Sequence, residues 1–262
     1  MQPDLPDILA RILAVKRLEV AAKLKLRKGL ERIAEFQRSQ RRPFRQALEA
    51  VTPAIIAEMK KASPSKGLLC DDFNPARLAM EYFAGRANAL SVLTDKEFFQ
   101  GSLGDLRTAR ACAALPVLRK DFMIDEVDVI ESAASGADAI LLIAALLTQA
   151  SIERFQSLAD YYGMDALVEV HDQPELERAL AAGARIVGVN NRDLRTFKVS
   201  LETAEQLAPL IPATVLKVAE SGIHSRADLE RLLAHGFQAF LVGEHLMQSS
   251  DPAEAVRALT GR

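Results

Sequence analysis

The chain has 262 residues, 49% of them hydrophobic and 26% charged, which excludes a disordered, collagenous or coiled-coil protein and provides for a sizeable core. The net charge of −2 hides an asymmetry: residues 1–50 carry twelve Lys/Arg against six Asp/Glu, and the remainder 21 against 29, so a basic arm precedes an acidic body. No run approaches the eighteen or so apolar residues that cross a bilayer, and the start lacks a basic stretch followed by a long apolar one, so a soluble cytoplasmic protein is expected.

In chain order, the arm comes first. Its charges interleave with Ile8, Leu9, Ile12, Leu13, Leu18, Leu24, Leu26, Leu30 and Ile33 at roughly helical spacing, which predicts a helix with one apolar face. Two readings fit: a helix docked on the body with a solvated basic face, or a cap whose positive field favours an anionic ligand. Contact with nucleic acid or a membrane is not expected, since Phe36 and Phe44 are the arm's only stacking residues.

After residue 50 the pattern alternates. Short Val/Ile/Leu-rich runs at 54–59, 89–94, 116–120, 137–144, 165–170, 185–190, 214–219 and 239–243 predict eight strands. Helix-period segments follow them at 75–86, 103–113, 127–135, 149–162, 174–182, 201–208, 226–235 and 252–259, several preceded by Asp, Asn, Ser or Thr and followed by Gly. Strands apolar enough to be buried on both faces and alternating with helices imply parallel βαβ units. Eight such units predict a single (β/α)8 barrel over residues 1–262, with residues 1–47 an N-terminal helical extension capping it. A doubly wound open sheet is the alternative, but no GxGxxG turn follows the first strand. Cys70 and Cys112 have no histidine nearby at ligand spacing and predict neither a disulfide nor a zinc site.

Barrel active sites lie at the C-terminal ends of the strands, and here those ends are polar. Strand one ends in Glu58-Met59-Lys60, strand three in Arg119-Lys120-Asp121, strand five in Glu169, strand six in Asn190-Asn191-Arg192 and strand seven in Glu220-Ser221-Gly222. Side chains at i and i+2 share a strand face, so Glu58 and Lys60 should point into the mouth together, with Met59 outward. Lys120, Glu169 and Glu220 should join them. A salt-bridge layer closing the barrel top is the structural alternative, at a high desolvation cost.

Loops after strands seven and eight often bind phosphate, with glycines admitting the anion and a short helix adding its dipole. Gly222 and Gly243 are the expected anchors, and Glu244 is expected to offer its backbone N–H with its side chain turned away. The loop Ser63-Pro64-Ser65-Lys66-Gly67 adds hydroxyls and a cation at the same end.

Together these segments closely resemble the indole-3-glycerol phosphate synthase family. The matching strings are IIAEMKKASPSKG (55–67), SVLTDKEFFQGS (91–102), PVLRKDF (116–122), GADAILLI (136–143), LVEVHD (167–172), VGVNNRDL (187–194), VAESGI (218–223) and FLVGEHLM (240–247). The resemblance implies ring closure of 1-(2-carboxyphenylamino)-1-deoxyribulose 5-phosphate, with loss of carbon dioxide and water, and no cofactor or metal. It implies Lys120 as general acid, Glu169 as general base and Glu58 as its assistant. Lys60 would hold an anionic end of the substrate, and Asn190, Glu220 and Ser221 would order its hydroxyls and phosphate. Ser63, Phe99, Phe122, Leu141, Arg192 and Leu194 are implied around the substrate, although Phe99 and Phe122 could equally be core packing and Arg192 could pair with a loop acid. Lys60, Ser221, Gly222, Gly243 and Glu244 are implied at the phosphate. The partner is then a phosphorylated small molecule. Outer helix faces give no distinct apolar patch signal from which to read an oligomeric state, which leaves a monomer slightly favoured, and the chain's end soon after helix eight favours a monofunctional enzyme. Two rivals are another phosphate-using barrel, such as phosphoribosylanthranilate isomerase, and a barrel that only binds a phosphorylated ligand.

Overall fold

A computed structural model describes residues 7–64 and 67–261 of the chain. Ser65 and Lys66 of the first loop, and residues 1–6 of the arm, lie outside the described residues. The arm forms α1 (Asp7–Leu24), α2 (Arg27–Gln37) and α3 (Phe44–Glu49). Eight parallel strands follow, closed in sequential order into a barrel: β1 (Ala54–Met59), β2 (Ala89–Leu93), β3 (Val117–Lys120), β4 (Ala139–Ile143), β5 (Asp165–Val170), β6 (Ile186–Asn190), β7 (Leu216–Glu220) and β8 (Ala239–Val242). The circle is completed where Ala54 of β1 pairs with Ala239 of β8. The strands are almost wholly buried, as their continuous apolar runs require.

The outer layer is α4 (Pro75–Ala84), α5 (Leu103–Cys112), α6 (Glu126–Ala134), α7 (Gln149–Tyr161), α8 (Gln173–Ala181), α9 (Glu202–Leu207), α10 (Arg226–Leu233) and, after the four-residue α11 (Glu244–Met247), α12 (Pro252–Thr260). Asn74, Ser102, Thr148, Asp172, Ser225 and Asp251 each accept a hydrogen bond from the backbone N–H three residues on. These caps satisfy donors that a helix start leaves unpaired, which is why the boundaries show in the sequence. Among the strands, β4 is shorter than expected at both ends, and β7 starts two residues late and runs through Glu220, which pairs with Asn190 in the ladder.

The arm departs from the expectation of one apolar face. A turn at Lys25 and Leu26 separates α1 from α2; Leu9, Ile12 and Leu13 are buried, whereas Leu18, Leu24, Leu26 and Ile33 are exposed. The turn resets the helical phase, so apolar residues on either side of it do not continue one stripe. Nor is the basic face merely solvated. Lys16 makes ion pairs with Asp95 and Asp121 at 2.7 and 2.8 Å, and Lys23 with Asp128 and Glu131 at 2.8 and 3.0 Å. The Arg42 guanidinium donates to the Arg110, Ala113 and Leu115 carbonyls as α5 ends. The charge asymmetry is thus an internal complementarity. The arm begins at the barrel mouth, passes along α6, and ends beneath the opposite rim, where Phe44 and Leu48 are fully buried and the backbone N–H of Arg45 donates to Asp165 at the start of β5.

Candidate active site

A cavity of about 330 Å³ opens at the C-terminal ends of the strands. Its floor carries Glu58, Lys120, Glu169 and Glu220, which come from β1, β3, β5 and β7. Layers inside such barrels are built by alternate strands and are usually apolar, so this layer is the odd-strand layer with charges in place of branched aliphatics. The i, i+2 relation puts Lys60 beside Glu58, at 2.9 Å, while Met59 is buried on the other face. Lys120 Nζ lies 2.9 Å from Glu169 Oε2 and 3.5 Å from Glu220 Oε2.

Two glycines make room for this layer. A Cβ on Gly188 would collide with Glu220 Oε1, and one on Gly243 with Glu58 Oε1. Gly243, the expected phosphate anchor, thus also leaves room for a carboxylate of the floor.

The carboxyl groups titrate in opposite directions. Burial would raise the Glu169 pKa, but Lys120 and His171 outweigh it and hold Glu169 well below the usual carboxylate range. Burial, reinforced by the nearby charge of Glu169, pushes Glu220 up to about 8. Burial works against the charge of Lys120, yet Glu169, Glu220 and Glu58 keep its pKa above the ordinary lysine value. Near neutrality the floor therefore holds an ammonium, an ionised Glu169 and a protonated Glu220. Titratable groups driven apart in this way mark acid and base functions.

The walls come from the loops. Phe99 and Phe122 stand with ring centroids 6.1 Å apart at 40°, and both line the cavity with Leu141 and Leu194. Ser63 enters from a short hairpin of Ala62–Ser63 with Gly67–Leu68. Asn190 accepts from the Arg192 backbone N–H at 3.0 Å. The Arg192 side chain lies 3.7 Å from the Glu244 carboxylate, which is the pairing with an acid that was one of its two readings. Ser221 and Gly222 have φ of 64° and 79°; the first is an unusual conformation for a side-chain-bearing residue and is held by Asn191, whose amide donates to the Ser221 carbonyl at 3.1 Å.

The structure thus brings all the sequence-predicted site residues to one cavity, apart from Ser65 and Lys66, which are not described. Sequence reasoning passed over others. Ile8, Leu9 and Ile12 of α1 form part of the lining, as do His224 and His245, whose rings lie 6.4 Å apart. His171 sits behind Glu169 at 3.3 Å. Its signal was present, since it stands two residues after Glu169 and so continues the same face.

A protein-family model described as indole-3-glycerol phosphate synthase matches residues 9–259. The indole-3-glycerol phosphate synthase of Variovorax paradoxus is 50% identical over 266 residues, covering 97% of this chain and 99% of that protein. That of Bordetella pertussis is 50% identical over 251 residues, covering 94% and 96%. Among solved structures, a thiamine phosphate pyrophosphorylase from Pyrococcus furiosus superimposes with a TM-score of 0.59 at 17% identity over 80% of this chain and 94% of its own. An N-acetylmannosamine-6-phosphate 2-epimerase from Clostridium perfringens gives 0.60 at 15% over 82% and 95%. At those identities the solved structures establish the barrel alone. The family match and the two relatives span the arm as well as the barrel, and the chain belongs to the indole-3-glycerol phosphate synthase family.

Proposed function

We propose that the cavity converts 1-(2-carboxyphenylamino)-1-deoxyribulose 5-phosphate to indole-3-glycerol phosphate, carbon dioxide and water, with Lys120 as general acid and Glu169 as general base. The observation that carries the assignment is the Lys120 ammonium held 2.9 Å from Glu169 on a charged floor beneath an aromatic wall. In ring closure the ring carbon bearing the carboxylate forms a bond to the ketone carbon, and the former ketone oxygen takes the Lys120 proton. That transfer runs from an ammonium to a more basic alkoxide, so a raised lysine pKa does not oppose it. Carbon dioxide then leaves the same ring carbon and restores aromaticity. In dehydration Glu169 removes a proton and the new hydroxyl departs as water, its proton supplied by an acid of the floor. Glu220, whose carboxyl pKa is raised to about 8 by burial and which lies 3.5 Å from Lys120, is the acid of the floor that takes this role.

Lys60, tied to Glu58, offers its charge to an anionic end of the substrate. The backbone N–H groups at Gly222 and at Gly243 and Glu244 border the phosphate end, with Ser221 between them and the ribulose hydroxyls. The isomerase alternative requires a cysteine base in the site, whereas Cys70 and Cys112 are absent from the lining. Incubating the purified protein with the carboxyphenylamino substrate should give a rise in indole fluorescence. A flat trace with the protein folded and the substrate intact would overturn the assignment and favour a barrel that only binds.

A further inference from the structure

His171 follows β5 directly and is absent from the cavity lining, yet both of its ring nitrogens face carboxylates. Nε2 lies 3.3 Å from Glu169 Oε1, and Nδ1 lies 3.0 Å from Glu175 Oε2 in the first turn of α8. Glu175 Oε2 also accepts from the His171 backbone N–H at 2.8 Å, and the Glu175 N–H is fixed by the Asp172 cap at 2.8 Å. The imidazole is therefore clamped from behind, and Glu169 has one oxygen toward each of two cations: Oε2 toward Lys120 and Oε1 toward His171.

The two cations differ in what the chemistry does to them. Lys120 gives its proton to the substrate in ring closure and becomes neutral. At that moment Glu169 loses one of its two cations, and a carboxylate so deeply buried tends to take up a proton when its counter-charge is withdrawn. A base protonated before its step is useless. His171 stands outside the cavity and keeps its charge throughout.

We propose that His171 is a positioning residue for dehydration: as an imidazolium clamped by Glu175, it keeps Glu169 aimed and ionised after Lys120 has been discharged. The proposal rests on Glu169 being the base. The same geometry sets the charge of the imidazole: burial works against it, and the neighbouring Glu169 and Glu175 carboxylates outweigh that and push its pKa up to about 10. The groups that bear on it are Glu169 on its own strand, Glu175 on α8 and, across Glu169, Lys120 on β3 and Glu220 on β7.

The test is the pH profile of turnover in His171→Asn, Glu175→Gln and Glu169→Gln, together with the NMR titration of the His171 ring in the unaltered protein. Without the imidazolium the acid limb of kcat should move up by about one pH unit, a roughly tenfold loss on the acidic side, while KM stays near its original value. Glu175→Gln should give a smaller displacement in the same direction. In the unaltered protein the imidazole should stay charged through pH 8. An unmoved acid limb in folded His171→Asn, with Glu169→Gln inactive, would overturn the role of His171 alone. Near-normal turnover in Glu169→Gln would instead remove the base on which the proposal rests. If His171→Asn does not fold, a ring that becomes neutral below pH 7 in the unaltered protein overturns the proposal on its own.

Discussion

Lys16 of α1 reaches Asp121 at 2.8 Å with both side chains nearly inaccessible to solvent, so the arm is bolted to the residue that follows Lys120. Burial would lower the lysine pKa, but Asp121 and Asp95 outweigh it; Asp121 in turn is held well below the usual carboxylate range against its own burial by Arg119 and Lys16. Removing one partner of such a pair strands the other, at a cost of about 3–5 kcal/mol. Lys16→Met should lose stability of that order in urea unfolding. It should also raise KM, because Ile8, Leu9 and Ile12 of the same helix line the cavity. Unchanged KM in a destabilised variant would separate the arm from substrate binding. Deletion of residues 1–47 is a blunter test, since it also withdraws Phe44 from beneath the barrel.

Lys120→Met should reduce turnover by roughly 10²–10⁴-fold, the usual contribution of a positioned acid. Substrate binding should persist, since the aromatic wall and loops are untouched. Glu169→Gln should pass ring closure and decarboxylation and then stall, so that single-turnover quenching captures the decarboxylated, still-hydroxylated intermediate. If instead unreacted substrate accumulates, Glu169 acts earlier than dehydration.

Gly243→Ala and Gly222→Ala should fail differently. The first drives a methyl group into Glu58, disturbing the catalytic floor, and should lower kcat more than it raises KM. The second meets Val199 Cγ1 at 2.6 Å and forces a side chain into φ of 79°, distorting the loop that borders the phosphate end, and should chiefly raise KM. Equal changes in KM for the two variants, with kcat unchanged, would show that the missing side chain of Gly243 serves the phosphate and not the floor.

Glu220 gives a stability prediction with a definite sign. Its folded pKa of about 8 lies above the ordinary glutamate value of 4.5, so its contribution is full below pH 4.5 and is lost as pH rises through about 8. Glu169 has the opposite sign, and its contribution disappears only under acid conditions. Glu220→Gln should therefore flatten the decline in thermal midpoint between pH 5 and 8. A slope identical to that of the unaltered protein would mean that Glu220 is ionised in the fold.

The barrel was legible because two signals agreed at each turn of the chain: strands buried on both faces read as continuous apolar runs, and Ser102, Thr148 or Ser225 announced each following helix. The floor was legible for a related reason, since polar residues at the ends of apolar strands have few structural uses, and i, i+2 parity placed Glu58 with Lys60. Lys16 was not legible. A lysine on an amphipathic helix reads as solvated, and nothing local points to Asp95 and Asp121 far along the chain. His171 escaped for a geometric reason, being hidden behind the residue it supports. Leu18 is exposed by helical period itself, lying nine residues after Leu9 and so on the opposite side of α1, whereas the exposure of Leu26 depended on the turn at Lys25, which lacks glycine or proline and so has no strong sequence mark.

The clasp between arm and body constrains how the protein can be made. Asp128, the partner of Lys23, lies 105 positions downstream; Asp138, which accepts from Arg42, lies 96; and Asp165, which accepts from Arg45, lies 120. At about 5–20 residues per second, the arm leaves the ribosome on the order of 5–25 seconds before its anchors exist. During that interval Leu9, Ile12, Leu13 and Phe44, all buried in the finished fold, lack the anchors that hold the arm in place, so the nascent arm keeps apolar surface uncovered until residues 128–165 have followed it.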